Sequence, residues 1–372
     1  MERDRHERLI EALRNPYVWP DNITSVETIE THISVIFLVG DHAYKLKKSV
    51  NLGFLDFSTL EKRRFYCEEE VRLNQRLALD VYFGVVPISG APDAPRIGGE
   101  GEAIEWLVKM RRFNEHAVLS DQPEQLSELL ISKLALQIAD FHRQAEPLDQ
   151  AMPYGTPEMV LYPMLENFAQ LRRVTDEAAI LEKLGPLEQW TNSRCEHLRE
   201  RLLQRRQNGF VRECHGDLHL GNIVVENDRP LIFDGIEFSP GLRWLDTLND
   251  LAFLLMDLHH KEKPDLAGML LNQYLDVSGD YAGLPLLSFY LVYRAMVRAK
   301  VTAIRLAQPD LNSEEIDFIH QECLAYLELA ERFTHPGHGA VVITHGLSGS
   351  GKTTVSEALL PLLPVVRIRS DV

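Results

Sequence analysis

The stretch His215-Gly-Asp-Leu-His-Leu-Gly-Asn222 places a carboxylate (Asp217), an amide five residues on (Asn222) and two imidazoles (His215, His219) within one turn. A second carboxylate, Asp234, closes the apolar run Pro230-Leu-Ile-Phe233. Such groups suit phosphoryl transfer. One carboxylate accepts or orients the proton of an attacking hydroxyl, while an amide and another carboxylate hold Mg²⁺ against nucleotide phosphates. The intervening segments, Ile223-Val-Val-Glu226 and Leu231-Ile-Phe233, are β-rich and flank Asn227-Asp-Arg-Pro230. They predict a hairpin with Asp217 and Asn222 at one end of its first strand and Asp234 at the end of its second.

The Asp-to-Asn spacing is that of the protein-kinase signature H-R-D-x-x-x-x-N followed by D-F-G, with Gly216 where the signature has Arg. The stretch resembles the aminoglycoside phosphotransferase and choline kinase group, which shares the protein-kinase fold and often carries H-G-D-x-H-x-x-N. The resemblance implies an α+β, two-lobed protein-kinase-like fold, with a small β-rich N-lobe and a larger helical C-lobe. It also implies ATP-dependent transfer to an alcohol group of a small molecule. Asp217 is then the catalytic base, His219 contacts the transferring phosphate beside His215, and Asn222 and Asp234 bind Mg²⁺. Asp250-Leu-Ala resembles the family's Asp-Leu-Ala, whose carboxylate buttresses the catalytic loop; an N-cap is the equally open structural reading. Glu237 lies farther from the metal aspartate than the family's usual acidic residue, and no role is placed on it.

Elements upstream must supply the phosphate cradle. Residues 4 to 15 predict a short amphipathic helix, followed by a loop broken at Pro16 and Pro20. Ile33 to Val39, a Gly40-Asp41 turn and His42 to Lys48 predict two antiparallel strands. Alternation puts Ala43, Lys45 and Lys47 on one face, so Lys45 mirrors the phosphate lysine of the kinase Val-Ala-Ile-Lys strand, with Lys47 as the alternative. Asn51 to Phe57 reads as a loop, and Ser58-Thr-Leu-Glu61 as a capping box opening a helix to about Leu79. On that helix Glu69 shares a face with Leu73 and Leu77 and is expected to turn toward Lys45; Glu68 and Glu70 stay open. Strands over 82–88 and 104–110 follow. The kinase-like reading assigns adenine binding to the backbone around Val108 to Met110, and, since no Gly-rich loop precedes Lys45, phosphate cover to the backbone of residues 32–34.

Helical periodicity covers 123–143, 176–207 with a break at Gly185-Pro186, 284–306 and 313–333. In the third of these, Arg294, Arg298 and Lys300 accompany Tyr290 and Tyr293. Inward they would bind an anion; outward, the commoner state of Arg and Lys, they would snorkel.

A second phosphate device begins after Thr334. The strand-like Ala340 to Thr344 leads into Gly346-Leu-Ser-Gly349-Ser-Gly351-Lys352-Thr353-Thr354 and a helical segment to Leu360. This G-x-x-x-x-G-K-T pattern cradles phosphates on loop amides, brings Lys352 to the β and γ oxygens and Thr353 to Mg²⁺. Val365 to Asp371 predicts the next strand, ending in an acid. It opens an α/β P-loop domain as the first β–P-loop–α–β unit, expected to be incomplete at Val372 because so few residues cannot fold alone. The expected organisation is an N-lobe over 1–110, a C-lobe over 111–335 and the P-loop start over 336–372, resembling bacterial proteins that join the two kinds of domain.

Composition narrows the partners. A net charge of −16 over 372 residues lacks the excess cations needed to neutralise nucleic acid or anionic membrane, and favours a cationic or neutral substrate. The charged N-terminus and the absence of a long apolar run predict a cytoplasmic protein without membrane spans. Four scattered cysteines suggest neither zinc nor disulfides. Besides the ATP-dependent phosphotransferase, two readings stay open: an ATP-binding regulatory module, and a metabolite kinase housed in the P-loop half.

Overall fold

A computed structural model describes residues 2–20, 23–53, 55–113, 117–308, 311–335, 337, 339–360, 362–363 and 365–368. Phe54, within the expected loop, and Asp371, the expected strand-end acid, lie outside the described residues. The chain divides into two compact units, Met1–Val118 with Asn222–Val224 and Leu231–Arg243, and Leu119–Gly221 with Val225–Pro230 and Trp244–Val372.

The first unit contains α1 (Glu2–Leu13), β1 (Glu27–Glu30), β2 (Ser34–Val39), β3 (His42–Lys47), α2 (Leu60–Asn74), β4 (Tyr82–Ala91), β5 (Ala94–Ile97) and β6 (Ala103–Arg111). Its six strands form one antiparallel sheet in the order β1-β2-β3-β6-β4-β5. Both faces of the sheet are covered, which is why β2 is apolar at nearly every position rather than at alternate ones. Val35, Phe37 and Val39 pack with Leu9 and Leu13 of α1 and Trp19, whereas Leu38 and Ala43 pack with Cys67 of α2. By alternation Lys45 and Lys47 share the Ala43 face, the face that α2 covers.

Helix α2 starts one residue later than the expected capping box: the N-cap is Thr59, whose hydroxyl accepts from the Lys62 amide. The 32–34 turn is consumed by its own hairpin. Thr31 Oγ1 accepts from the amides of Ile33 and Ser34 at 3.4 and 3.0 Å, so those amides are not offered to phosphate.

The second unit is helical. It holds α3 (Glu128–Gln144), α4 (Pro157–Val174), α5 (Ala178–Gln207) and β7 (Val211–Glu213), then the hairpin of β8 (Ile223–Glu226) and β9 (Arg229–Ile232), which is shared with the first unit. After α6 (Pro240–Arg243), a first-unit turn, come β10 (Trp244–Asp246), α7 (Thr247–His260), α8 (Pro264–Ser278), α9 (Leu284–Leu306), α10 (Ser313–Thr334) and α11 (Lys352–Leu359). Helix α5 runs through Pro186 without the expected break, and α4 had no counterpart in the periodicity. Helix α7 is buried from Thr247 to Leu258 and packs on α8 and α9. Two short strands missed by pattern, β7 and β10, pair antiparallel and bracket the loop bearing Asp217. Among the described residues, no helix is long and apolar enough to cross a membrane.

The P-loop turn and its helix α11 form, but residues 340–344 and 365–368 are not strands, contrary to expectation. A strand needs a neighbour to take its backbone hydrogen bonds, and residues 340–346 lie exposed without one.

Candidate active site

In the first unit, Lys45 and Lys47 stand two residues apart on β3 and share one buried acid. Lys45 Nζ lies 2.9 Å from Glu70 Oε1 and 2.9 Å from Asp234 Oδ1. Lys47 Nζ lies 2.6 Å from Glu70 Oε2 and also bonds Glu237. The partner of the strand lysine is therefore Glu70, not Glu69. The buried stripe of α2 runs Arg63, Cys67, Glu70, Leu73 and Asn74. Glu69 sits one residue, about 100°, off that stripe; it pairs instead with Arg72 at 2.8 Å and Arg243 at 3.1 Å. The spacing to Leu77 misled because the helix has already ended there.

Burial alone would raise the Glu70 carboxyl, but the ammonium groups of Lys45 and Lys47 outweigh it and hold the acid below its usual range. Glu237 goes the other way, since burial and the nearby Glu70 charge overcome Lys47. Glu237, given no role from sequence, is thus part of this cluster; its signal was its type alone. Burial would also lower Lys45, yet Asp234 and Glu70 keep its ammonium charged. We expect Glu70→Gln, which leaves two buried ammonium groups short of a charge, to cost about 2 kcal/mol and to weaken nucleotide binding. Glu69→Gln should move stability by less than about 1 kcal/mol; thermal unfolding and nucleotide titration check both.

Asp234 is held in the left-handed region, φ 59°, by Tyr82 and Asn74, which accept from the amides of Asp234 (3.3 Å) and Gly235 (2.7 Å). Its side chain is 46% exposed, and only one of its two oxygens, Oδ1, lies against Lys45. Asn222 is buried at the start of β8, where its carbonyl accepts from the Phe233 amide at 3.0 Å. Val108 and Met110 do not offer backbone to adenine. Strand β6 is interior, with Val108 opposite both Lys45 and Val85, and Met110 opposite both Ala43 and Tyr82, so the ladder takes their polar groups.

In the second unit, Asp250 is fully buried and accepts the amides of His215 (3.0 Å) and Gly216 (2.8 Å) and His142 Nε2 (3.1 Å). Tyr274 bonds the other nitrogen of His142 at 2.9 Å. The N-cap of α7 is Asp246, so Asp250 inside its first turn is free to grip the loop. Burial would raise Asp250, but the His142 bond and the charges of His142, His215 and Arg294 bring it down to about 2. Gly216 has φ 86°, a conformation disfavoured for side chains, which accounts for glycine where protein kinases carry Arg. His142, given no role from sequence, completes this support with Arg294, which takes the inward of its two open orientations: it is 3% exposed and donates to the Gly216 carbonyl at 3.0 Å. Facing inward, it departs from the ordinary exposure of arginine.

Held this way, Asp217 is left half-exposed. Its Oδ2 lies 3.4 Å from His219 Nε2, and His219 Nδ1 accepts from the Gly221 amide at 3.0 Å, so the ring proton sits on Nε2, facing Asp217. A side chain at Gly221 would fall 2.8 Å from the His219 ring, which keeps that position glycine. Asp217 is pulled up by burial but more strongly down by His219, His215 and Arg294, and stays ionised well below the usual carboxylate range. His215 Nδ1 accepts the Asp217 amide at 3.3 Å.

In the P-loop segment, Gly346, Gly349 and Gly351 take positive φ, and Lys352 Nζ donates to the carbonyls of Gly346 and Leu347, both at 2.7 Å. Thr353 and Thr354 open α11. The segment beyond docks on α8, where the Asn272 side chain bonds the Val365 carbonyl and the Arg367 amide at 2.9 and 2.7 Å.

A curled antiparallel sheet carrying a lysine–glutamate pair, and a helical unit carrying a braced H-G-D loop, define a protein-kinase-like phosphotransferase with a hydroxyl acceptor. Residues 67–287 match the Phosphotransferase enzyme family, and the chain belongs to it. Residues 341–372 match an AAA domain. An uncharacterized protein of Mycobacterium tuberculosis (strain ATCC 25618 / H37Rv) is 30% identical over 350 residues, covering 93% of this chain and 67% of the relative. Among solved structures, choline kinase from Cryptosporidium parvum Iowa II aligns at TM-score 0.51 and 10% identity, over 88% of this chain and 95% of that one. An amicoumacin kinase in complex with AMP-PNP, Ca²⁺ and Ami aligns at 0.51 and 14%, over 88% and 94%. At such identities the likeness is one of fold.

Proposed function

We propose that the protein moves the γ-phosphoryl group of ATP to a hydroxyl of a small molecule, with Asp217 as the group that orients and deprotonates that hydroxyl. The acceptor oxygen bonds to phosphorus as the bond to the β,γ-bridging oxygen breaks; the hydroxyl proton passes to Asp217, leaving a phosphomonoester and ADP. The observation that carries this reading is Lys45, whose ammonium bridges Glu70 and Asp234, residues distant in sequence, at 2.9 Å each. Lys45 steadies the α and β phosphates, and Glu70 keeps it charged and in place.

The depressed proton affinity of Asp217 suits orientation with late proton acceptance rather than early abstraction. That matches a loose transition state, which demands little from the nucleophile. His219 points its N–H toward the Asp217 carboxylate and, in this reading, meets the transferring phosphate. The free oxygen of Asp234 and the amide oxygen of Asn222 are hard donors that fit Mg²⁺. Bound there, Mg²⁺ would neutralise phosphate charge.

Two rivals predict different mutants. We expect Lys45→Met to remove ATP turnover by about a hundredfold or more, while Lys352→Ala retains it, because the nucleotide used is the one on the sheet. Phosphate release measured on the whole chain decides: loss with Lys352→Ala alone would move the activity to the P-loop, and ATP binding without turnover in any acceptor panel would leave only a regulatory module.

A further inference from the structure

Two lysines of β3 reach one buried glutamate, and their surroundings suit them to different tasks. The Lys45 side chain is 12% exposed and that of Lys47 1%. Glu70 Oε2 accepts a hydrogen bond from Lys47 at 2.6 Å, whereas Oε1, 2.9 Å from Lys45 Nζ, is not met along a hydrogen-bonding direction. The directed bond of Lys45 goes to Asp234, at 2.9 Å. Lys47 has two further neighbours: its ammonium bonds Glu237 and stands 5.0 Å from the centre of the Phe57 ring. Glu237 is fixed in turn. Arg243 donates Nη1 to the Glu237 carbonyl at 2.9 Å and Nη2 to Glu69 of α2 at 3.1 Å, and the Gly235 amide bonds Asn74 Oδ1, at the end of α2, at 2.7 Å. The segment after Asp234 is thereby stapled to α2, with Glu237–Lys47–Glu70 as the buried link, and every one of these groups lies in the first unit.

A lysine that steadies phosphates must share its charge with them. If Lys45 were the sole cation beside Glu70, each nucleotide bound would weaken the pairing of a wholly buried carboxylate, which is a costly state. A second ammonium on the other carboxylate oxygen removes that cost. We propose that Lys47 and Glu237 are positioning residues of the nucleotide site: Lys47 holds Glu70 by its second oxygen so that Lys45 can exchange Asp234 for phosphate, and Glu237 keeps Lys47 turned away from the nucleotide. This rests on Lys45 being the phosphate lysine. It gives separate tasks to two lysines that alternation places on one face, and it adds to the kinase lysine–glutamate pair, which uses one lysine.

Nucleotide affinity measured beside stability tests it. The whole chain, carrying Lys352→Ala so that the P-loop contributes no nucleotide site, is titrated calorimetrically with a non-hydrolysable ATP analogue and Mg²⁺. Lys47→Met strips the buried Glu237 of its cation and should lower Tm by about 5 °C or more. Combining Lys47→Met with Glu237→Met replaces the buried pair by apolar side chains, an exchange that is often neutral, and should return Tm close to that of the parent. Affinity should not return with it: Kd should stay about tenfold or more above the parent in both variants, the loss of one hydrogen bond between charged groups. Affinity that recovers along with Tm, or that is unchanged in Lys47→Met, would make the pair structural only and overturn the proposal. Acetylation of the parent, read by mass spectrometry, needs no variant: the analogue should protect Lys45, and Lys47 should stay unreactive with and without it. A Lys47 that reacts and is then protected by nucleotide would be a phosphate ligand itself, which also overturns the assignment. No binding by the parent would sink the proposal together with the nucleotide role of Lys45. Weakened binding in both variants, with no phosphate transfer by wild type to any acceptor, would support the proposal and sink the phosphotransfer reading alone.

Discussion

Asp217→Asn is expected to lower kcat about a thousandfold, within the range for a positioned acid–base group, with KM for ATP little changed. The amide keeps the size of the carboxylate but cannot take the hydroxyl proton. It also presents either N–H or C=O to His219, whose Nε2–H now faces the acid at 3.4 Å. Because Asp217 is held well below the usual carboxylate range, it is already ionised wherever the protein is assayed near neutrality. The acidic limb of the wild-type pH–rate profile should therefore not come from this residue, and Asp217→Asn should scale the profile down without moving that limb. A variant retaining more than about a tenth of wild-type kcat would remove Asp217 from the chemistry. Far-UV circular dichroism and an unfolding transition near that of wild type would show that the fold is intact.

Asp250→Ala should be the most destabilising single change at the site, by about 3–5 kcal/mol. The carboxylate is wholly buried, and its loss strands the amides of His215 and Gly216 and the ring N–H of His142. For domains of this size that corresponds to a fall of roughly 10 °C in Tm. Asp250→Asn should not rescue it, since its amide nitrogen would face donors. The pH dependence has a definite sign. The folded value is about 2 against an ordinary 3.8, so the native state binds this proton less readily than the unfolded chain. The stabilisation is complete above about pH 4 and is lost as the pH falls toward 2. Wild type should lose stability steeply over that window, and Asp250→Ala less steeply; acid titration of the unfolding free energy checks it. Activity should fall with stability because the loop carrying Asp217 loses its brace.

The parts that were legible in sequence are those in which chemistry is local. Hairpin β8–β9 and strands β2 and β3 follow from short β-rich runs around turn residues, and α9 from unbroken periodicity over 284–306. The expected kinase-like fold class is the one found. What failed depended on neighbours. A strand at 340–344 had the right composition but no partner strand, and Pro186 was absorbed inside α5 where a break was expected. The kinase-like reading assigns adenine to the backbone of Val108 to Met110, yet β6 is flanked by β3 and β4, a relation that strand order alone decides.

By itself the sequence determined the candidate motifs, because His215 to Asn222 and Gly346 to Thr353 are contiguous and their spacing needs no long-range fold. Tertiary structure decided which charges answer them. Glu70 rather than Glu69 meets Lys45 because one residue on a helix is about 100° of rotation, and only packing of α2 on the sheet shows which rotation faces inward. Likewise Arg294 turns inward because the Gly216 carbonyl and Asn249, brought in from elsewhere in the chain, compensate its burial.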